Sequence, residues 1–187
     1  MKVGMKPSEV AFFTEELGRA RRYLEFGSGG STVLASRMVE KVATVESDPL
    51  WIGRVLREAG ENRNRIHPIL VDVGPVGALG YPSDTGTRAL WPNYHEEPWG
   101  RLGRTDFDLY LVDGRFRVAC FLQVLLRAKP DARILVHDYR PRPHYHVMER
   151  VGRLEREVGS LALFVPRQTP PLKRIDRFMV QYRVDPA

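Results

Sequence analysis

Leu24-Glu25-Phe26-Gly27-Ser28-Gly29-Gly30-Ser31-Thr32 is the stretch whose reading decides the fold of this chain. Before it, Tyr23-Leu24-Glu25-Phe26 reads as a short strand ending at Gly27. After it, Ser31 to Val39 reads as a helix, with Val33, Leu34 and Met38 available for burial. Glycines between a strand and a helix let the backbone turn tightly and approach a ligand, and the helix N-terminus offers free N–H groups to an anion. Many α/β proteins carry such a turn, so its meaning depends on what lies on either side.

Upstream, Val10, Phe13, Leu17 and Ala20 share one face of a helix spanning Ser8 to Arg22. Downstream, Lys41 to Val45 is a second strand, and a helix follows from Pro49 to Ala59. Asp48 is placed to cap that helix, Pro49 suits its first turn, and Gly60 its stop. Strands are expected at 67–73, 107–113 and 132–138, with helices over 115–128 and 145–158. Leu161 to Val165 and Phe178 to Val184 read as two closing strands with no helix between them, hence an antiparallel pair. Alternating strands and helices, with near-continuous apolar strands, predict an α/β fold: a mostly parallel sheet with helices on both faces. The segment from Gly74 to Thr105 breaks the rhythm. It is rich in Gly and Pro, holds Trp91, Tyr94, His95 and Trp99, and reads as a loop inserted at about 74–105 that acts as a lid over a small acceptor.

With 187 residues the chain fits one ordinary domain, 1–187, and 43% hydrophobic content argues against disorder. The single cysteine, Cys120, lies in an apolar run and reads as a buried, inert thiol. With no intramolecular disulfide to form and no apolar run of spanning length, the expectation is a cytoplasmic protein without membrane contact. The formal net charge is +6, but the basic residues are scattered and no basic run interleaves with aromatics, which disfavours a nucleic-acid partner.

Glu46 ends the second strand, about twenty residues beyond Glu25, where a carboxylate can accept both hydroxyls of a ribose. Asp72 lies near the end of the third strand, beside where an adenine would sit. The dinucleotide fingerprint requires a third glycine at position 32, which is Thr32, and the phosphate loop ending in Gly-Lys-Ser/Thr is absent. An acid at Glu25 suits a ligand carrying an ammonium group better than a pyrophosphate.

Glu25-Phe26-Gly27-Ser28-Gly29-Gly30-Ser31 resembles the first motif of class I S-adenosylmethionine-dependent methyltransferases, with Ser31 in place of the third glycine. Glu46 is similar to that family's ribose-binding acid and Asp72 to its acid at the third strand. The stretches 107–113 and 132–138 resemble its fourth and fifth strands. The resemblance covers roughly residues 20–184. It implies a Rossmann-like seven-stranded sheet of order 3-2-1-4-5-7-6 and S-adenosylmethionine as cofactor, with Glu25, Gly27, Ser28, Gly29, Gly30, Glu46 and Asp72 around it. Asp113 and Asp138 end neighbouring strands beside the expected methyl donor. They are candidates for a general base or polar anchors. Metal-binding members of the family carry acids at both places, but the residue after the second is Tyr139, a poor ligand for a hard cation, so no metal is expected. Tyr94, His95, Tyr139 and His144 are candidates for the acceptor site. The expected activity is methyl transfer to a small molecule. An RNA methyltransferase, a non-catalytic cofactor-binding protein and a nicotinamide-dependent oxidoreductase remain as alternatives.

Overall fold

The computed structural model describes residues 1–187. Seven strands form one sheet: β1 (Arg22–Phe26), β2 (Lys41–Glu46), β3 (Ile66–Leu70), β4 (Leu109–Val112), β5 (Arg133–Val136), β6 (Arg153–Val158) and β7 (Leu161–Val165). Their order is β3-β2-β1-β4-β5-β7-β6. The first five run parallel, and β7 pairs antiparallel with both β5 and β6. The expected α/β sheet and its order are therefore those observed.

Helices α1 (Pro7–Leu17), α2 (Gly30–Met38) and α3 (Pro49–Ala59) cover one face; α4 (Asn93–Leu102), α5 (Arg117–Leu125) and α6 (Leu172–Tyr182) cover the other. Side chains alternate between the faces along each strand. Leu24, Phe26, Tyr110 and Val112 enter the core under α4 and α5, whereas Tyr23, Leu109 and Leu111 enter the core under α1 to α3. A strand covered on both sides buries every residue, which is why β4, Leu-Tyr-Leu-Val, shows no polar position. Asp48 starts α3 as read, accepting from the backbone N–H groups of Leu50 and Trp51 at 2.8 and 3.0 Å.

Two expected elements are corrected. The helix over 145–158 is instead a tight 3-10 segment, Pro143–Arg150, followed by β6. Gly152 separates them, packed so closely on the Phe121 ring that a Cβ there would lie 2.7 Å from it. Gly159 then turns at φ 63, and Gly159-Ser160 is the two-residue loop of a hairpin between β6 and β7. The expected strand over 178–184 falls mostly within α6. Ile175 and Phe178 are buried, Met179 and Tyr182 pack beside them, and Val180 is 81% exposed, which is a helical and not an alternating pattern. The antiparallel closing pair is therefore β6 with β7.

The segment 74–105 differs from a lid of aromatic side chains. Its first half carries two short 3-10 turns, Ala78–Gly80 and Thr85–Leu90, and its second half is α4. Trp91, Tyr94 and Trp99 are buried in the core, with Tyr94 and Trp99 at 6.3 and 6.1 Å from the Phe26 ring. Leu79 is 85% exposed, at the tip of the first half. No helix is long and apolar enough to cross a membrane.

Candidate functional site

The chain leaves β1 toward β2 on one side, and β4 is β1's neighbour on the other, so the sheet reverses direction between them. Ligands bind open α/β sheets outside the strand ends at such a point. Here a cavity of about 580 Å³ opens over the 27–31 turn. Gly27 has a φ of 96, and a Cβ on it would lie 2.6 Å from the Gly114 backbone. The exits of β1 and β4 thus touch, and both positions need glycine. Gly29 is different: its backbone is extended, and a Cβ there would meet no protein atom within 4 Å. A side chain at 29 would project into the cavity, so the turn presents bare backbone to whatever fills it.

Glu46 forms the next wall. Its Oε1 accepts from the N–H groups of Ser47 and Asp48 at 2.7 and 3.1 Å, and its Oε2 accepts from the Ser28 N–H at 3.2 Å. Burial raises its pKa, opposed by those three backbone donors. A carboxylate oxygen accepts two bonds, so Oε2 retains capacity for a ligand hydroxyl. Trp51 ties α3 to the turn, donating from Nε1 to the Ser28 carbonyl at 2.8 Å. Across the cavity Tyr94 reaches the lining from α4, its hydroxyl lying where a side chain on Gly114 would have to go.

The ends of β4 and β5 bring Asp113, His137 and Asp138 together, with one ligand-type atom from each lying within 4.8 Å of the others. Regular alternation would aim His137 away from Asp138. Asp138 adopts φ 55, which ends the alternation and turns both side chains toward Asp113. His137 Nδ1 lies 2.9 Å from Asp113 Oδ1. Burial disfavours its charged form, but the Asp113 and Asp138 carboxylates together outweigh burial and the His137 pKa is raised. Arg117 bonds both acids, at 3.3 Å to Asp113 and 3.2 Å to Asp138, and donates to the carbonyls of Gly114 and His137. Arg142 also reaches Asp138, at 3.3 Å. A divalent ion here would share its carboxylates with a guanidinium that is 3% exposed.

Gly27, Ser28, Gly29, Gly30, Glu46, Tyr94, Asp113 and Asp138 all line this cavity; five other residues singled out in the sequence do not. Glu25 shares the Tyr23 face of β1 and is fully buried. It accepts from the hydroxyls of Tyr23 at 2.9 Å, Ser31 at 2.7 Å and Thr32. Burial raises its pKa to about 7, against those three donors. Its carboxyl therefore anchors the start of α2 to the sheet. Asp72 is exposed and accepts from the Gly74 N–H at 2.8 Å. His95 is buried between the Arg183 carbonyl, 2.9 Å from Nε2, and Gln123. The buried Tyr139 donates to Glu149 at 2.6 Å, and His144 is exposed beside Tyr145. Lining residues not singled out in the sequence include the strap Met1–Gly4, Trp51, Arg115, Arg117 and Arg142; His137, which a regular strand would aim away from Asp138, lines it too. The strap crosses so close to the start of α2 that a Cβ on Gly30 would strike the Lys2 carbonyl. For Arg115 and Arg117 the one signal was position, two and four residues after the acid that follows β4.

No protein-family model matches the chain, and no curated protein matches it. Solved structures do. A methyltransferase-like protein from Silicibacter pomeroyi is 29% identical, with a TM-score of 0.86 over 99% of this chain and 98% of that one. Cofactor-bound Rv0187 from MTB is 21% identical, with a TM-score of 0.61 over 90% and 84%. The N-methyltransferase NodS from Bradyrhizobium japonicum, in complex with S-adenosylhomocysteine, is 13% identical, with a TM-score of 0.55 over 88% and 90%. Strand order, the antiparallel closing pair and these likenesses agree that the chain has the class I S-adenosylmethionine-dependent methyltransferase fold.

Proposed function

We propose that this chain is an S-adenosylmethionine-dependent methyltransferase acting on a small-molecule acceptor. The observation that carries the reading is the bare Gly27–Gly30 backbone opening onto a cavity walled by Glu46. The residues fit the cofactor. Glu46 Oε2 would accept a ribose hydroxyl, and the turn would lie along the amino-acid part. When bound, the cofactor supplies a methyl group on a sulfonium, which passes in line to the acceptor as the carbon–sulfur bond breaks and the electron pair stays on sulfur. The protein's work is alignment and exclusion of water. The strap Met1–Gly4 and the 77–80 tip border the cavity and would restrict solvent. Asp113 and Asp138 would hold the acceptor side in register through Arg117 and Arg142. Asp113, held by His137 at 2.9 Å, would receive a proton from an acceptor that carries one. Glu25, buried under α2, keeps the turn in place from behind and makes no contact with this space.

Calorimetry with S-adenosylhomocysteine tests the reading. Glu46→Ala should weaken binding by about 1–3 kcal/mol, the cost of a lost charge-assisted bond. Gly29→Val should abolish it while leaving the melting temperature near wild type, because the new side chain meets only the cavity. Unchanged affinity in both folded variants would remove the assignment.

A further inference from the structure

Arg115 has no partner. It is 6% exposed, it lines the cavity, and its Nε and Nη1 are buried with no hydrogen bond. No carboxylate in the chain pairs with it, although the neighbouring Arg117 is held by two acids and Arg142 by Asp138. Its one close companion is the Tyr81 ring, with the guanidinium 4.0 Å from the ring centroid. A buried polar group without a partner carries a penalty of kcal/mol order, and a guanidinium cannot escape it by losing its proton. The turn that presents it is itself strained. Phe116 is held at φ 54, which is unfavourable for a bulky side chain, by its packing on Trp91 and Tyr94.

We infer that Arg115 binds an oxyanion, a carboxylate or a phosphate, carried by the acceptor. This rests on the methyltransferase reading above. The surroundings of Arg115 tie it to the side of the cavity where Asp138 and Arg142 lie. Arg115 lies against Tyr81, just past the 77–80 tip, and near Tyr145, whose hydroxyl accepts from Arg142 at 3.2 Å. Tyr81 also lies beside Arg142, which holds Asp138 past the end of β5, so this group borders the β5 side of the cavity. Arginine geometry suits planar and tetrahedral oxyanions alike. The acceptor class is therefore an acidic small molecule, its charge held by Arg115 with Arg142 alongside.

The test is calorimetry on the chain saturated with S-adenosylhomocysteine, titrated with benzoate, phenyl phosphate and neutral benzamide. At least one oxyanion should bind and benzamide should not; which of the two acids binds identifies the group. Arg115→Met should weaken that binding at least tenfold and change S-adenosylhomocysteine affinity less than twofold, with Arg115→Lys in between. Should Arg115→Met fail to fold, Arg115→Lys carries the same comparison. The inference is overturned if Arg115→Met instead weakens S-adenosylhomocysteine, since the guanidinium would then hold the cofactor. Benzamide binding as well as the acids, no acid binding, or an acid unaffected by the substitution would each overturn it too. If wild-type protein bound no S-adenosylhomocysteine, the methyltransferase reading would fail separately, and the same titrations without it would still decide the role of Arg115.

Discussion

Glu25 is a carboxyl whose importance the sequence signals but whose contacts it hides. Strand alternation places it on the Tyr23 face, beneath α2, where Ser31 and Thr32 donate to it. With its pKa raised from 4.5 to about 7, the folded state holds a proton that the unfolded chain has released over that window. Stability should therefore fall as pH rises from 4.5 to 7 and flatten above, by up to roughly 3 kcal/mol. Glu25→Gln should remove that slope; chemical denaturation at pH 5, 6, 7 and 8 reads it, and equal slopes in both proteins would refute the assignment. In the cavity wall, Arg117 bonded to Asp113 and Asp138 stands where a cation would have to compete for the same carboxylates. Turnover should accordingly be indifferent to a chelator. Loss of activity with EDTA and recovery with Mg²⁺ would instead make Asp113, His137 and Asp138 ligands. The glycines were legible because they sit in one turn, and Glu46 because it ends the neighbouring strand. His137 was not, because its direction depends on Asp138 adopting φ 55, a conformation no spacing rule announces.

At the scale of elements, β1 through β5 and β7 were legible from apolar runs between turn residues, and the segments 145–158 and 178–184 were not. Seven residues from Phe178 show alternation if Val180 is counted as inward, but a window reaching back to Ile175 shows the helical period. The sequence carries a hairpin signal at Gly159-Ser160, while Tyr145, Met148 and Val151 recur at a spacing of three, as a helix also would. Those three are buried, on a 3-10 turn and just past its end. The α6 assignment makes a paired prediction. Phe178→Ala should cost about 3–5 kcal/mol, because it opens a cavity against α5, whereas Val180→Lys should change stability by less than about 0.5 kcal/mol. Denaturant titration of both variants checks this; a large loss at Val180 would favour a strand.

Across the whole molecule, the cavity is assembled from segments far apart in sequence: the strap at 1–4, the turn at 27–31, the tip at 77–80 and the strand ends at 113–117 and 137–142. A single sequence marks the turn and the acids ending strands, but which distant segments close over them is decided by packing. That is why Arg115 and Arg142 emerged only from the fold, while Trp91 and Trp99, rich in apparent binding chemistry, proved to be core. The central claim is which adenosine-containing cofactor this cavity takes, and it rests on the glycine turn, on Glu46 and on Thr32 standing where a dinucleotide site needs glycine. Titrating the wild-type chain with S-adenosylhomocysteine and, separately, with NAD tests it most directly. One molecule of S-adenosylhomocysteine should bind per chain and NAD should give no heat; NAD binding, or no binding of S-adenosylhomocysteine, would contradict the account.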